Sequence, residues 1–337
     1  LKPISYYCKL TDRKDVIDYN DIFNELGKLN LSLYAPFNYI LKSRMSFYSD
    51  IYDTVVKGGL SSLRQADRER SLQTLMRVNL LKRLESSVDA FRITLSKLLT
   101  NIESTIEDLD NFDKFVSNKS VTQRDVNSIN LDDDEWLDDD YSIGSTVKIN
   151  LEDMDRISWR EDLSNDRDII YNLLKEMDKI SPKNDKKLNT LKEIIHNKIY
   201  RQMNLGNKKI IIFTAFADTA DYLYENISTY VKEAFDLETA KVVGSDANKT
   251  TLKIRTDLHT ILTCFSPISK EKSLTMPDVK GEIDILIATD CISEGQNLQD
   301  CDYLINYDIH WNPVKITQRF GRIDRIGSKN ETIQLVN

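Results

Sequence analysis

Residues 208–223 read KKIIIFTAFADTADYL, and the change of pattern inside them decides the fold. Ile210 to Phe213 form an unbroken apolar run without polar alternation, as a strand buried on both faces does, and a helical segment follows. The same unit recurs downstream in TAKVV at 239–243, IDILIA at 283–288, YLINYD at 303–308 and TIQLV at 332–336. Apolar strands alternating with helical segments imply an α/β fold, a parallel sheet with helices on both faces. Right-handed crossovers gather the loops that follow the strands on one edge, where open α/β sheets bind their ligands. The loops after Thr214, Ala288 and Asp308 are therefore the ones to read for chemistry.

Upstream, the pattern is helical. Between Ala66 and Leu99, apolar residues recur at steps of three or four (Leu72, Met76, Leu80, Leu84, Val88, Phe91, Leu95, Leu98), which predicts one long amphipathic helix whose stripe is core. Shorter helices broken near Pro36 precede it, so residues 1–110 are expected to form a helical unit. A further helix from Asp185 to Met203 carries Leu188, Leu191, Ile195 and Ile199 on one face. It leads into a second unit, 185–337. Between them, 111–184 reads as an acidic flexible insertion with linker helices. Its most acidic stretch, NLDDDEWLDDDY at 130–141, has no apolar strand before it that could deliver an acid to a phosphate-bound Mg²⁺, so a solvated loop is expected.

Composition narrows the class. With 337 residues, 40% of them hydrophobic, the chain can bury a sizeable core, and its 10 glycines and 6 prolines favour long helices over turns. No run is long and apolar enough for a membrane span, and no leader pattern opens the sequence, so a cytoplasmic protein without membrane association is expected. Cys8, Cys264, Cys291 and Cys301 show no pairwise spacing, and His196, His259 and His310 no ligand spacing. No metal site is expected from them. A net charge of −8 excludes general attraction to nucleic acid, so any such contact must be local. The start at Leu1 and the stop inside a strand suggest an excised piece.

Against that acidity stands ITQRFGRIDRIG at 316–327, with Arg319, Arg322 and Arg325 close together. Asn312 as cap, Pro313 as first residue and Gly327 as stop predict a helix from Pro313 to about Ile326. On that wheel Ile316, Phe320 and Ile323 face the sheet, while Gln318, Gly321, Arg322 and Arg325 face outward. Arg319 lies between the faces and suits a structural salt bridge. Two guanidiniums a turn apart match the oxygens of a phosphoryl group, whereas most arginine clusters are merely solvated.

The segment QRFGRIDRIG resembles motif VI of superfamily-two helicases, and YDIHWNPVKITQRFGRIDRIG looks like the Swi/Snf-type branch, especially bacterial RapA-like ATPases. IDILIATDCISEGQNLQDCDYLINYD resembles their motif V, and KKIIIFTAFADTADYL their motif IV. Order and spacing agree over 185–337, and LLKRLESSVDAFRITL at 80–95 looks like the helical segment that precedes the second lobe.

The resemblance implies a second RecA-like lobe of an ATP-dependent double-stranded DNA translocase. Arg322 and Arg325 would approach the γ-phosphate, Arg325 as the arginine finger, with Gln318, Gly295 and Asn297 on the ATP side. Thr214, Thr289, Ser293 and Gly295 would meet strand phosphates, with a simple strand-end cap as the rival role for Thr214. ATP and Mg²⁺ would be bound mainly by an N-terminal RecA-like lobe of the same protein. No G-x-x-x-x-G-K-[ST] occurs here: Lys28 is followed by Leu29, Gly59 by Leu60 and Gly206 by Asn207. This stretch alone is therefore not expected to hydrolyse ATP. The rival from another class is an interaction module, the acidic run and helical unit docking on RNA polymerase or restriction-type subunits.

Overall fold

The computed structural model describes residues 3–55, 62–114, 149–244, 247–292, 295–310 and 312–337. The acidic run at 130–141 and the Ser293 assignment lie outside them. The chain divides into two compact units, one of Leu1–Arg13, Glu85–Ala90 and Ile180–Asn337, the other of Lys14–Leu84 and Phe91–Lys179.

The second of these is helical, with α1 (Tyr19–Lys28), α2 (Met45–Tyr52), most of α3 (Gln65–Ser86) and α4 (Val88–Lys114), α5 (Arg156–Asp178), and a minimal hairpin, β1 (Thr54–Val55) with β2 (Ser62–Leu63). Its sharpest turn is at Leu31, a non-glycine residue at φ 53°. The buried carboxylate of Asp166 holds that turn from both sides, accepting from Asn30 N at 2.7 Å, Ser32 N at 2.9 Å and the Ser32 hydroxyl at 2.8 Å.

The stripe expected as one helix from 66 to 99 is buried from Met76 through Leu98 but is two helices. Ser87 accepts the amide of Ala90 at 3.0 Å, so its hydroxyl caps α4 and ends the continuous run.

In the sheet unit, α6 (Lys186–Tyr200) begins at the cap Asp185, whose side chain accepts from Leu188 N. Then follow β3 (Ile210–Phe213), α7 (Ala217–Phe235), β4 (Thr239–Val242), β5 (Lys249–Thr250), α8 (Leu258–Phe265), α9 (Lys272–Thr275), β6 (Ile285–Ala288), β7 (Tyr303–Asn306), α10 (Pro313–Phe320) and β8 (Gln334–Val336). The strand order is β5-β4-β6-β3-β7-β8, parallel except for the edge pair β4 and β5. This is the RecA-like α/β fold, with the expected strands. Residues alternate between its faces: Ile210, Ile212, Ile285, Ile287 and Ile305 pack with α6 and α7, and Ile211, Phe213, Leu286, Ala288 and Leu304 with α8 and Ile323. The β8 edge is met by Ile4, which forms a parallel bridge to Val336. Among the described residues no helix is long and apolar enough to cross a membrane.

The register aligns the ends of the three central strands, Phe213 pairing with Ala288 on one side and Asn306 on the other. Chain order turns back at β3, which places the loops after β6, β3 and β7 side by side at the switch point of the sheet.

Candidate functional site

Arg319 is the residue around which this edge is built. It is fully buried, and its Nε and Nη2 donate to the two carboxylate oxygens of Asp290, each at 2.6 Å. Its Nη1 donates to Asn306 Oδ1 at 3.1 Å and to the Asp308 carbonyl at 3.4 Å, and the guanidinium lies over the Phe213 ring. One side chain thus joins α10 to the loop ends of β3, β6 and β7. A buried guanidinium is tolerated because every face of it is matched, by a two-pronged carboxylate, two neutral acceptors and a ring.

The helix that carries Arg319 starts as expected, with Asn312 Oδ1 accepting from Val314 N and Pro313 as first residue. It ends earlier than expected, at Phe320. Gly321 (φ −63°, ψ −3°) leaves the helix, Arg322 N and Ile323 N fold back in three-residue turns, and Gly327 lies well past the stop. The wheel therefore does not govern 321–326. Instead, each arginine beyond the helix reaches back four residues to a carbonyl at its frayed end: Arg322 Nε to Gln318 O and Arg325 Nε to Gly321 O, both at 3.2 Å. Carbonyls left without partners in the last turn accept cations well. Ile323 still reaches the core.

Arg322 and Arg325 are half-buried. Arg322 also contacts the loop after β6, its Nη1 donating to Gln296 O at 3.5 Å while its own carbonyl accepts from Leu298 N at 3.0 Å. The arginine turn and the 295–298 loop are thereby zipped together. Gln318 Oε1 is buried and has no hydrogen-bond partner among the described residues.

In that loop Gly295 is exposed, at φ +72°, with nothing within 4 Å of the position a Cβ would take. Glycine is needed there for its backbone angle, and its bare backbone faces open space. Asn297 Oδ1 accepts from Gln299 N at 3.3 Å, a local turn that fixes the loop's exit. Thr289 is half-buried, its amide bonded to Val242 O and its hydroxyl directed to the Cys291 sulfur at 3.4 Å.

Thr214 is placed differently from a strand-phosphate ligand. It is fully buried and its hydroxyl donates to Asp308 Oδ2 at 2.6 Å. Asp308 also accepts from the Ser86 hydroxyl at 2.6 Å and from Ala215 N at 2.8 Å. Ser86 and Ser87 both meet Thr219 Oγ1, within 3 Å. At the strand end the hydroxyl also accepts from Phe216 N at 3.4 Å, the geometry of the rival cap role. Sequence pattern marks Asp308 only as a strand end and assigns no role to Asp290 or Ser86, because their partners lie on other elements.

A family model, the helicase conserved C-terminal domain, matches residues 186–327, from the first residue of α6 to Gly327. This stretch is a helicase C-terminal lobe. Its motifs resemble those of the Swi/Snf-type, RapA-like branch of superfamily two. Over 52 residues it is 50% identical to an uncharacterized ATP-dependent helicase, YqhH, of Bacillus subtilis, and 40% identical to the RNA polymerase-associated protein RapA of Vibrio campbellii. Each match covers 15% of this chain, and 9% and 5% of those relatives. Among solved structures, the C-terminal part of the Fun30 ATPase domain aligns with a TM-score of 0.39 and 18% identity, over 100% of this chain and 84% of that one. In the helicase lobe, motif V is the loop from Thr289 that includes Gly295 and Asn297, and motif VI is the end of α10 with the arginine turn.

Proposed function

We propose that this lobe is the second half of the motor of an ATP-dependent double-stranded DNA translocase, closing on a first RecA-like lobe that carries the nucleotide. The observation that carries the reading is the division of labour in motif VI. Arg319 is consumed by Asp290, whereas Arg322 and Arg325 rest on carbonyls beside the motif V loop. For Arg325, a carbonyl contact orients the guanidinium without neutralising it, so it can still pair with a phosphoryl oxygen.

In this reading Arg325 is the arginine finger and Arg322 its companion on the γ-phosphate. Gln318, with its unpartnered Oε1, and the loop of Gly295 and Asn297 lie on the ATP side. Thr289, Ser293 and the Gly295 backbone hold strand phosphates. Thr214 is left out of that set in this reading, because its buried hydroxyl donates to Asp308. The Asp290 carboxylate at this edge is spent on Arg319 and so is not offered to Mg²⁺. The ion is assigned to the first lobe, and no step here passes through it. Translocation without strand separation is the expected mode.

The test uses the motor with both lobes. Arg325→Ala is expected to lower DNA-stimulated ATP hydrolysis by about 10³-fold or more, the worth of such a finger, with duplex binding retained. Unchanged turnover refutes the assignment. The rival reading, docking on RNA polymerase or restriction subunits, depends on the acidic run at 130–141, and deleting that run tests it through partner binding.

A further inference from the structure

Two lysines follow α8 closely, Lys270 in the loop and Lys272 as the first residue of α9, and the fold uses them in opposite ways. Lys272 is buried, and its ammonium donates to the Gly281 carbonyl across the loop. Lys270 turns toward motif V: its Nζ donates to Gln296 Oε1 at 3.1 Å, one residue beyond Gly295. Gln296 is the residue whose carbonyl accepts from Arg322 Nη1. A side chain from outside the helicase motifs and the first motif VI arginine beyond the helix thus meet on the same glutamine.

The position of Lys270 is set by its backbone. Asp300 accepts the amides of Ile268 at 2.6 Å and Ser269 at 3.0 Å, Lys270 N donates to Ser266 O at 3.1 Å, and Glu271 takes the left-handed conformation at φ 49°. A lysine held this way is not a freely sampling surface chain.

Its electrostatic surroundings are unfavourable as they stand. Burial and the like charge of Arg325 both push the Lys270 ammonium below the usual lysine range. Among the described residues, neither Lys270 nor Arg325 has a carboxylate within ion-pair distance; their contacts are a neutral amide and a backbone carbonyl. A half-buried cation facing a second cation costs free energy that an anion placed between them removes. Gly295, next to Gln296 in the chain, is exposed, and no described residue lies within 4 Å of the position its Cβ would take, which leaves room for such an anion.

We propose that Lys270 is a third cation of the phosphoryl site, binding with Arg325 and Arg322 the oxygens of a terminal phosphate beside Gln296. The proposal rests on the translocase reading for the carrier of that phosphate, a nucleotide, but not for the binding of the anion itself. A backbone phosphate of a nucleic-acid strand offers the same chemistry, so the test separates the two sources.

The experiment titrates the 337-residue chain with inorganic tripolyphosphate, and separately with a short DNA duplex, by calorimetry in matched salt. Lys270→Gln is expected to weaken tripolyphosphate binding about tenfold, as loss of one charge-assisted bond does, whereas Lys270→Arg stays near wild type and duplex binding is unchanged. Unaltered tripolyphosphate binding by Lys270→Gln overturns the proposal. Loss of duplex binding alone overturns the terminal-phosphate assignment and moves the lysine to the strand. If Arg325→Ala leaves ATP hydrolysis of the two-lobed motor intact while Lys270→Gln still loses tripolyphosphate, the finger assignment fails and the anion site stands.

Discussion

At the scale of single residues, three arginines within seven positions do two different jobs. Side-chain chemistry did not distinguish them. Spacing put Arg319 between the faces of a helix and admitted a salt bridge, but the carboxylate that claims it, Asp290, lies on another loop, so its burial followed only from the packed sheet edge. Arg319→Ala is expected to destabilise the sheet unit by about 3 kcal/mol, because Asp290 and two acceptors lose a buried cation. A shift in the urea unfolding midpoint measures it, and a loss below about 1 kcal/mol contradicts the assigned bonding. Gly295→Ala meets open space, so its cost comes from the backbone angle alone, about 1 kcal/mol in the same measurement.

At the scale of elements, strands were more legible than helix ends. Short apolar runs such as Ile210–Phe213 and Ile285–Ala288 fit a doubly covered strand, and each of the five runs named from the sequence contributes a strand to the sheet. Helix boundaries depend on competing caps. Phe320 ends α10 because Gly321 follows it and the arginines bond backward, and Ser87 divides the 66–99 stripe because its hydroxyl captures an amide. Ser87→Ala is accordingly expected to cost about 1 kcal/mol, with the loss in thermal unfolding. In α3 a different effect applies. Burial raises the Glu69 carboxyl to about 7, against partial compensation from the Phe37 amide and Gln65. Its folded-state pKa lies above the unfolded value, so the folded form holds the extra proton. Stability is thus expected to fall as pH rises from about 4.5 to 7, by at most about 3.5 kcal/mol, given about 1.4 kcal/mol for each unit of displacement. Glu69→Gln keeps the acceptor for Phe37 N and is expected to flatten that dependence in denaturant titrations at pH 5 and 8. A slope that persists in the variant contradicts it.

At the scale of the whole molecule, net acidity limits how the proposed motor holds its track. If about three strand phosphates are contacted, duplex affinity is expected to fall with salt with a log–log slope of about −3, in filter-binding or anisotropy titrations. A slope near −10 points to an extended basic surface instead. The sites named from motif order sit together because the sheet turns back at β3, which the alternation of elements implied. The return of the first residues to the sheet was not implied by any local pattern, since the Ile4 to Val336 pairing depends on partners far apart in sequence. That pairing joins residues far apart along the chain, so closing it costs more loop entropy than pairing neighbouring strands does, and it is expected to come late in refolding. During synthesis, the segment around Ile4 has to wait for its neighbour until residue 336 has been added. A chaperone acting in that interval meets the segment around Ile4 still without its strand partner.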